Sequence, residues 1–357
     1  MKAKDTIISR IKQLGYLPID QFMKLALSDC KDSYYRNKDP IGKNKDFITA
    51  PETSQMFGEI IGFWVIEKWM EMGSPSKINL IELGPGNGTL LYNLLRVTKN
   101  IIGLNESLEI YMVEINEHLK IVQKQTLDPM NLRIYWVEEL NKIQNYPTIV
   151  IGNEFFDSLP IKQYIFIENS WRERVVIINI KGELDYSVID IDNLHILDYL
   201  NQYKSVKNNS IIEFSQESKN YINLLQEILC QNKFNCLFID YGYNISPIIR
   251  KSNQYNSTLQ AINKHQYCNI FHDIGNSDLT SHVDFDMLLN CINKDYFDNS
   301  FISSQKEFLI KYGIEQRLLL LSRDKNPELK QILFNQYKRL TDKNEMGELF
   351  KVMEIWN

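Results

Sequence analysis

From Ser54 to Gly73 the chain reads SQMFGEIIGFWVIEKWMEMG, with apolar side chains every three or four positions and Pro75 just past the glycine. That period and that stop predict an α-helix. Upstream, the apolar residues from Thr6 to Leu27 keep mostly helical spacing, and the polar stretch KDSYYRNKDPIGKNKDFITAPE reads as a long loop. Downstream the period shortens. INLIEL, LEIYMVEI, LRIYWV, TIVIGNEF and, much later, NCLFIDYG are short runs rich in β-branched residues, separated by helical patterns. Strands alternating with helices predict a parallel sheet. Between the fourth and fifth runs, KQYIFIENSWRERVVIINIKGELDYSVI predicts antiparallel strands turning near Asn169 and Gly182, an insertion over about 161–192. A second insertion over about 244–300 is polar and reads as irregular, too long for a simple connection. The tail returns to helices and to a final strand-like FISSQKEFLI.

Composition narrows the classes. The 357 residues, 44% apolar and 24% charged, suffice for one large domain with insertions or for two ordinary domains. Forty basic against forty-five acidic residues give a net charge of −5, with no long single-sign run to track a phosphate backbone, so nucleic acid is not an expected partner. Five scattered cysteines fit neither a disulfide framework nor a close-pair metal site. With no run of about eighteen apolar residues and no compact signal core, the expectation is a soluble cytoplasmic protein without membrane insertion. No metal site is expected, and the sequence sets no oligomeric state.

Chemistry concentrates at ELGPGNG, where Gly84, Gly86 and Gly88 follow a buried strand and precede a helix. Small residues there allow a tight turn and close approach of a ligand to the backbone. A phosphate-binding loop for nucleotide hydrolysis needs Gly-Lys-Ser/Thr, yet Gly88 is followed by Thr89 and Leu90. The dinucleotide fingerprint places its third glycine where this chain has Thr89, so NAD is off-pattern. S-adenosylmethionine has no phosphate, and its amino group and sulfonium are cations that Glu82 would suit. Glu114, thirty residues past Gly84, ends the second strand, where a carboxylate can accept both ribose hydroxyls; NAD would use the same acid. Glu138 and Glu139 end the third strand, within reach of an adenine amino group. The plainer alternative is an ordinary strand–helix turn.

DFITAPETSQMFGE, ELGPGNGTL, NEFFDSLPIKQY, FIDYGY, DLTSHVDF and MGELFKVM, in unbroken order from about Tyr34 to Met353, resemble the MidA family. The resemblance implies an α/β fold: a Rossmann-like, seven-stranded class I methyltransferase sheet with N-terminal helices and inserted β or irregular elements. It implies residues 1–75 as a helical segment and cofactor flap and 76–357 as the methyltransferase core. It also implies S-adenosylmethionine as cofactor, arginine of a protein as acceptor, and a respiratory complex I subunit as partner.

Ligands in a doubly wound sheet lie outside the carboxyl ends of the strands, which puts Asn153, Glu154 and Asp157 of the fourth strand's GNEFFD near the transferred methyl group. A carboxylate matches the planar donor fork of a guanidinium, so Glu154 would orient it and Asp157 share its charge or take its proton; capping of the next helix is the alternative for both. Asn153 is expected on the cofactor's methionine part. His282, with Asp284 two residues on, is a second candidate base, with structural packing its alternative; His265 is a weaker one. Thr49, Glu52, Ser54 and Gln55 enter the first helix as a flap over the cofactor, favoured by the resemblance, the alternative being an N-terminal cap by Thr53 or Ser54; Tyr34 and Tyr35 would close the same pocket or only pack against it. Asp240 ends the fifth strand, touching the acceptor or supporting the site. The competing functions are a non-catalytic assembly factor that retains the cofactor fold, a methyltransferase of a non-protein acceptor, and a nicotinamide oxidoreductase.

Overall fold

The computed structural model describes residues 2–37, 49–203, 206–244, 256–263, 266–293, 297 and 299–357. The chain forms two compact units. One comprises Ile41–Phe156, Ile222–Tyr243 and Val283–Asn357; the other comprises Met1–Pro40, Asp157–Tyr221 and Asn244–His282. His265 lies outside the described residues.

The first unit is built on a sheet whose seven strands are β1 (Ile78–Leu83), β2 (Leu108–Val113), β3 (Ile134–Val137), β4 (Thr148–Asn153), β5 (Phe234–Tyr243), β6 (Asn299–Ser304) and β7 (Phe350–Trp356). Their spatial order is β6-β7-β5-β4-β1-β2-β3, and a short bridge at Val283–Asp284 joins β5. Strands β1 to β5 run parallel, while β7 is antiparallel to both β5 and β6. This is the seven-stranded α/β sheet expected from the sequence. The first three strands step outward from β1 in one direction and β4 returns to its other side, so the crevice above β1 and β4 is where such sheets hold ligands. All six residues of β1 are buried, as a central strand covered on both faces requires.

Helix α1 (Gln55–Glu71) covers the sheet, burying Met56, Phe57, Ile60, Ile61, Trp64 and Val65. It packs closely on α2 (Thr89–Thr98). A Cβ at Gly58 would stand 2.7 Å from the Asn93 Cβ, and one at Gly62 would stand 2.3 Å from Val97 Cγ2 and 2.9 Å from the Leu94 carbonyl oxygen. The Trp64 indole donates to Glu354 on β7 at 2.8 Å, and fully buried Glu59 receives Arg317 in a two-pronged pair at 2.7 and 2.8 Å. The expected strand over FISSQKEFLI is corrected. Strand β6 stops at Ser304, whose hydroxyl and the Glu307 carboxylate form a reciprocal cap that starts the helix Gln305–Lys311. The strand nearest the C-terminus is β7, whose residues are buried on both faces and so show no alternation to read.

The second unit carries an antiparallel sheet of Leu17–Pro18, Lys162–Ile167, Ser170–Ile178, Leu184–Ile189 and Ile211–Phe214. Its tight turn at Glu168 and Asn169 uses positive φ at both residues (50° and 61°), as a twisted two-residue hairpin demands. The segment read as irregular contains a small antiparallel sheet of Gln260–Asn263, Gln266–Cys268 and Asp278–Thr280. Short strands of mostly polar residues leave little hydrophobic period to detect. Ile7, Phe22, Met23, Tyr34, Val176 and Leu279 belong to this unit's core. Among the described residues, no helix is long and apolar enough to cross a membrane.

Candidate active site

Glu82 sits on β1 one residue before the strand ends, only 5% exposed. The chain then turns through Gly84, Gly86 and Gly88 at φ 60°, 54° and 77°, a left-handed path that side chains resist. Gly88 forms the N-cap of α2 and donates to the Pro85 carbonyl at 2.8 Å. Burial pushes the Glu82 carboxyl up to about 8, and its Oε2 has no partner among the described residues. Across the crevice, Asn153 at the end of β4 also leaves its buried Oδ1 without a partner there. Two orphaned acceptors beside a glycine cradle are what a cationic, multiply donating ligand would satisfy.

The segment Ala50–Thr53 is a single helical turn laid against this loop. Its Glu52 Oε1 accepts from the Thr89 hydroxyl at 2.6 Å and from the Asn87 amide at 3.3 Å. The Ala50 N–H donates to Glu154 Oε1 at 3.3 Å. Thr49, Glu52, Glu82, Gly84, Gly86, Asn153 and Glu154 thus line one cavity, and among the described residues no cationic side chain lines it. Glu52 was grouped with the flap by sequence, but its grip on the glycine loop was not foreseen. Gln55 lies outside the cavity and donates to Glu59 at 3.3 Å, while Ser54 caps α1 through the Met56 N–H.

Glu114 follows β2, 7% exposed, accepting from the Asn116 N–H at 2.8 Å and from Gln123 Nε2 at 3.0 Å. Burial holds its carboxyl above the usual range, while these two donors pull the other way. Gln123, on helix α3 (Glu117–Leu127), was not anticipated. Its sequence signal is that Leu119, Gln123 and Leu127 form the buried stripe of α3, with a polar residue at the middle position. Glu138 is exposed and pairs with Lys120 at 3.4 Å, away from the lining of the cavity.

Glu154 adopts φ 49°, a left-handed conformation rare for a side chain of its size, fixed by its N–H donating to the Ile239 carbonyl at 2.8 Å. Asp240 supports the same turn: its Oδ2 accepts from the Phe156 N–H at 3.0 Å while the residue itself is 1% exposed. Asp157 and His282 belong to the other unit. There the buried Asp157 carbonyl accepts from the Ser281 N–H at 2.9 Å, and burial lowers the His282 imidazole against the opposing charge of Glu213. Asp284 caps the helix Phe285–Asn290 by accepting from the Met287 N–H. In the second unit, the Tyr35 hydroxyl donates to Asp278 at 2.7 Å, and burial followed by the charges of Asp278 and Asp157 raises it well above the ordinary phenol. Tyr34 is fully buried in that unit's core.

A strand-order reversal, a glycine turn behind a buried acid and a second acid after the next strand define a class of α/β proteins that bind a nucleoside-containing ligand. The chain belongs to the family described as "Putative S-adenosyl-L-methionine-dependent methyltransferase", whose model matches residues 60–299. It is an S-adenosylmethionine-dependent methyltransferase. It is 29% identical over 374 residues to the protein arginine methyltransferase NDUFAF7, mitochondrial, of Danio rerio, covering 98% of this chain and 86% of that one. The Homo sapiens protein of the same name is 27% identical, with 98% and 82% covered. An S-adenosyl-homocysteine-bound structure from Burkholderia thailandensis shares the fold at TM-score 0.87 and 23% identity, with 99% and 92% covered. The expected cytoplasmic location is overturned: these NDUFAF7 relatives are named mitochondrial. Composition could not separate the two, because reduced cysteines and a soluble charge balance suit any reducing aqueous compartment.

Proposed function

We propose that the chain methylates arginine in a protein, with Glu154 as the carboxylate that receives the guanidinium and a respiratory complex I subunit as the cognate substrate. The observation that carries this reading is the charge of the cavity: Glu52, Glu82 and Glu154 line it together with the glycine turn. Such a lining favours cations and disfavours a pyrophosphate. The names of the curated relatives support arginine as acceptor, and the MidA resemblance supports complex I.

S-adenosylmethionine, when bound, supplies an electrophilic methyl group. Glu82 and Asn153 would hold its ammonium through their unpartnered oxygens, and Glu114 its ribose. Gly84 and Gly86 would admit it against the backbone, with Thr49 and Glu52 closing over it, while Gly88 turns the chain into α2. Glu154, set by its strained backbone, would hold the guanidinium in line with the methyl group. That methyl group would pass to a guanidine nitrogen, and the cofactor's sulfur would keep the electron pair of the broken bond. An arginine side chain keeps its proton in water, so the proton must leave as the new bond forms, and the Glu154 carboxylate accepts it. Asp157 and His282 have no part in this assignment.

The test is transfer of labelled methyl to purified complex I subunits. Glu154→Gln should leave S-adenosylhomocysteine affinity within a few-fold and cut turnover by about a hundredfold, the scale of positioned proton transfer. Full activity in this variant removes Glu154 from the acceptor role, and label found only in small molecules or lipids removes the protein substrate.

A further inference from the structure

We propose that Gln123 is a positioning residue that sets the ribose-binding acid and the glycine turn together before cofactor arrives, an inference that rests on the cofactor reading above. Gln123 is fully buried, and its side-chain amide makes three hydrogen bonds. Its Nε2 donates to the Gly86 carbonyl at 2.8 Å and to Glu114 Oε2 at 3.0 Å, and its Oε1 accepts from the Trp136 indole at 2.8 Å. The orientation of the amide is therefore fixed by chemistry. Turned over, it would set an oxygen against the Gly86 carbonyl and the Glu114 carboxylate, and an N–H against the indole N–H.

The consequence is a rigid three-way link between the turn after β1, the acid after β2 and Trp136 on β3. A Cβ at Gly88 would stand 3.5 Å from the Gln123 Cα, so the backbone of α3 also approaches the turn closely. Glu114 has one oxygen held by the Asn116 N–H and the other by Gln123, with the Ile115 N–H also bonded to the carboxylate, which fixes its plane for a ribose hydroxyl to approach. Without Gln123 the buried carboxylate would lose a donor to its charged form and would gain freedom to turn away.

Titration of the full chain with two probes tests this: S-adenosylhomocysteine and its analogue lacking both ribose hydroxyls. Gln123→Met should weaken S-adenosylhomocysteine binding by about 10- to 100-fold, the usual scale for losing a hydrogen bond to a charged group. The analogue should weaken far less, so that the preference for the hydroxyls collapses, and kcat at saturating S-adenosylmethionine should stay within a few-fold while KM rises. Trp136→Phe, which removes one of the three bonds that hold the amide and leaves those to Gly86 and Glu114, should shift the preference the same way by a smaller factor, and this arm stands even where Gln123→Met fails to fold. Equal weakening of both probes, or none, in a folded variant overturns the proposal. A wild-type chain that binds both probes alike, or a Glu114→Gln variant that binds S-adenosylhomocysteine as wild type, overturns the cofactor reading beneath it as well.

Discussion

A carboxyl group that is 5% exposed, with one oxygen unpartnered, destabilises the fold when ionised unless a cation joins it, and Glu82 is such a group. Its folded-state value is raised by burial to about 8 against an ordinary 4.5. A raised carboxyl contributes stability that is fully present below the unfolded value and is lost as pH rises through the folded one. Glu82→Gln should therefore stabilise the ligand-free protein, most at pH 8 and above and least near pH 4, as read by urea unfolding. Cofactor binding carries the opposite sign, because pairing with an ammonium needs the carboxylate. Near pH 7 wild type should release close to one proton from Glu82 on binding S-adenosylhomocysteine, and affinity should climb with pH up to about 8. Calorimetry in buffers of different ionisation enthalpy reads this directly; proton release undiminished in Glu82→Gln would assign it to another group. Glu82 could be picked out in the sequence because acid-then-glycine is a local pattern. For Gln123 only its place in the apolar stripe of α3 is a sequence signal, because its three partners are brought together by the sheet.

At the scale of elements, α1 and α2 approach so closely that two ordinary rules conflict. Alanine is a better helix former than glycine by about 1 kcal/mol, which favours Gly62→Ala in isolation. Yet the added methyl would meet Val97 Cγ2 at 2.3 Å and the Leu94 carbonyl oxygen at 2.9 Å. A side chain can rotate away, whereas a helical carbonyl cannot, and overpacking of this kind costs about 1–3 kcal/mol. Packing should prevail: Gly62→Ala is expected to lower the unfolding free energy by about 1 kcal/mol or more in urea titration, and a stabilised variant would show that the helices can separate without loss. Elements with a strong local period, α1 and β1 to β5, were legible in the sequence. Strand β7 was not, since its register is set by pairing with β5 and β6 over long sequence distances. The helix after β6 was legible in principle, from Ser304 followed three residues on by Glu307.

Across the whole molecule, the net charge of −5 is modest, but three acidic side chains, of which Glu82 keeps its proton until a cation joins it, with no cationic side chain among the described lining residues make one cavity selective for charge. A pyrophosphate would bring further negative charge toward Glu52, Glu82 and Glu154. Ligands that bind only the folded state stabilise it by mass action, about 2.7 kcal/mol at a hundred times Kd. The thermal unfolding midpoint of the full chain with S-adenosylhomocysteine at that excess should therefore rise by roughly 3–4 °C. NAD and ATP at the same concentration should produce no shift. Gly86→Val supplies the control, because a branched side chain at φ 54° strains the turn and obstructs the approach of ligand to backbone. That variant should fold, with a lower midpoint, and should no longer respond to S-adenosylhomocysteine. Hydrogen exchange on the same samples localises the effect: protection gained on binding should fall at residues 50–54, 82–90 and 114–116. Stabilisation by NAD equal to that by S-adenosylhomocysteine would mean that the nucleoside alone is recognised and that the acids of this cavity do not choose the ligand.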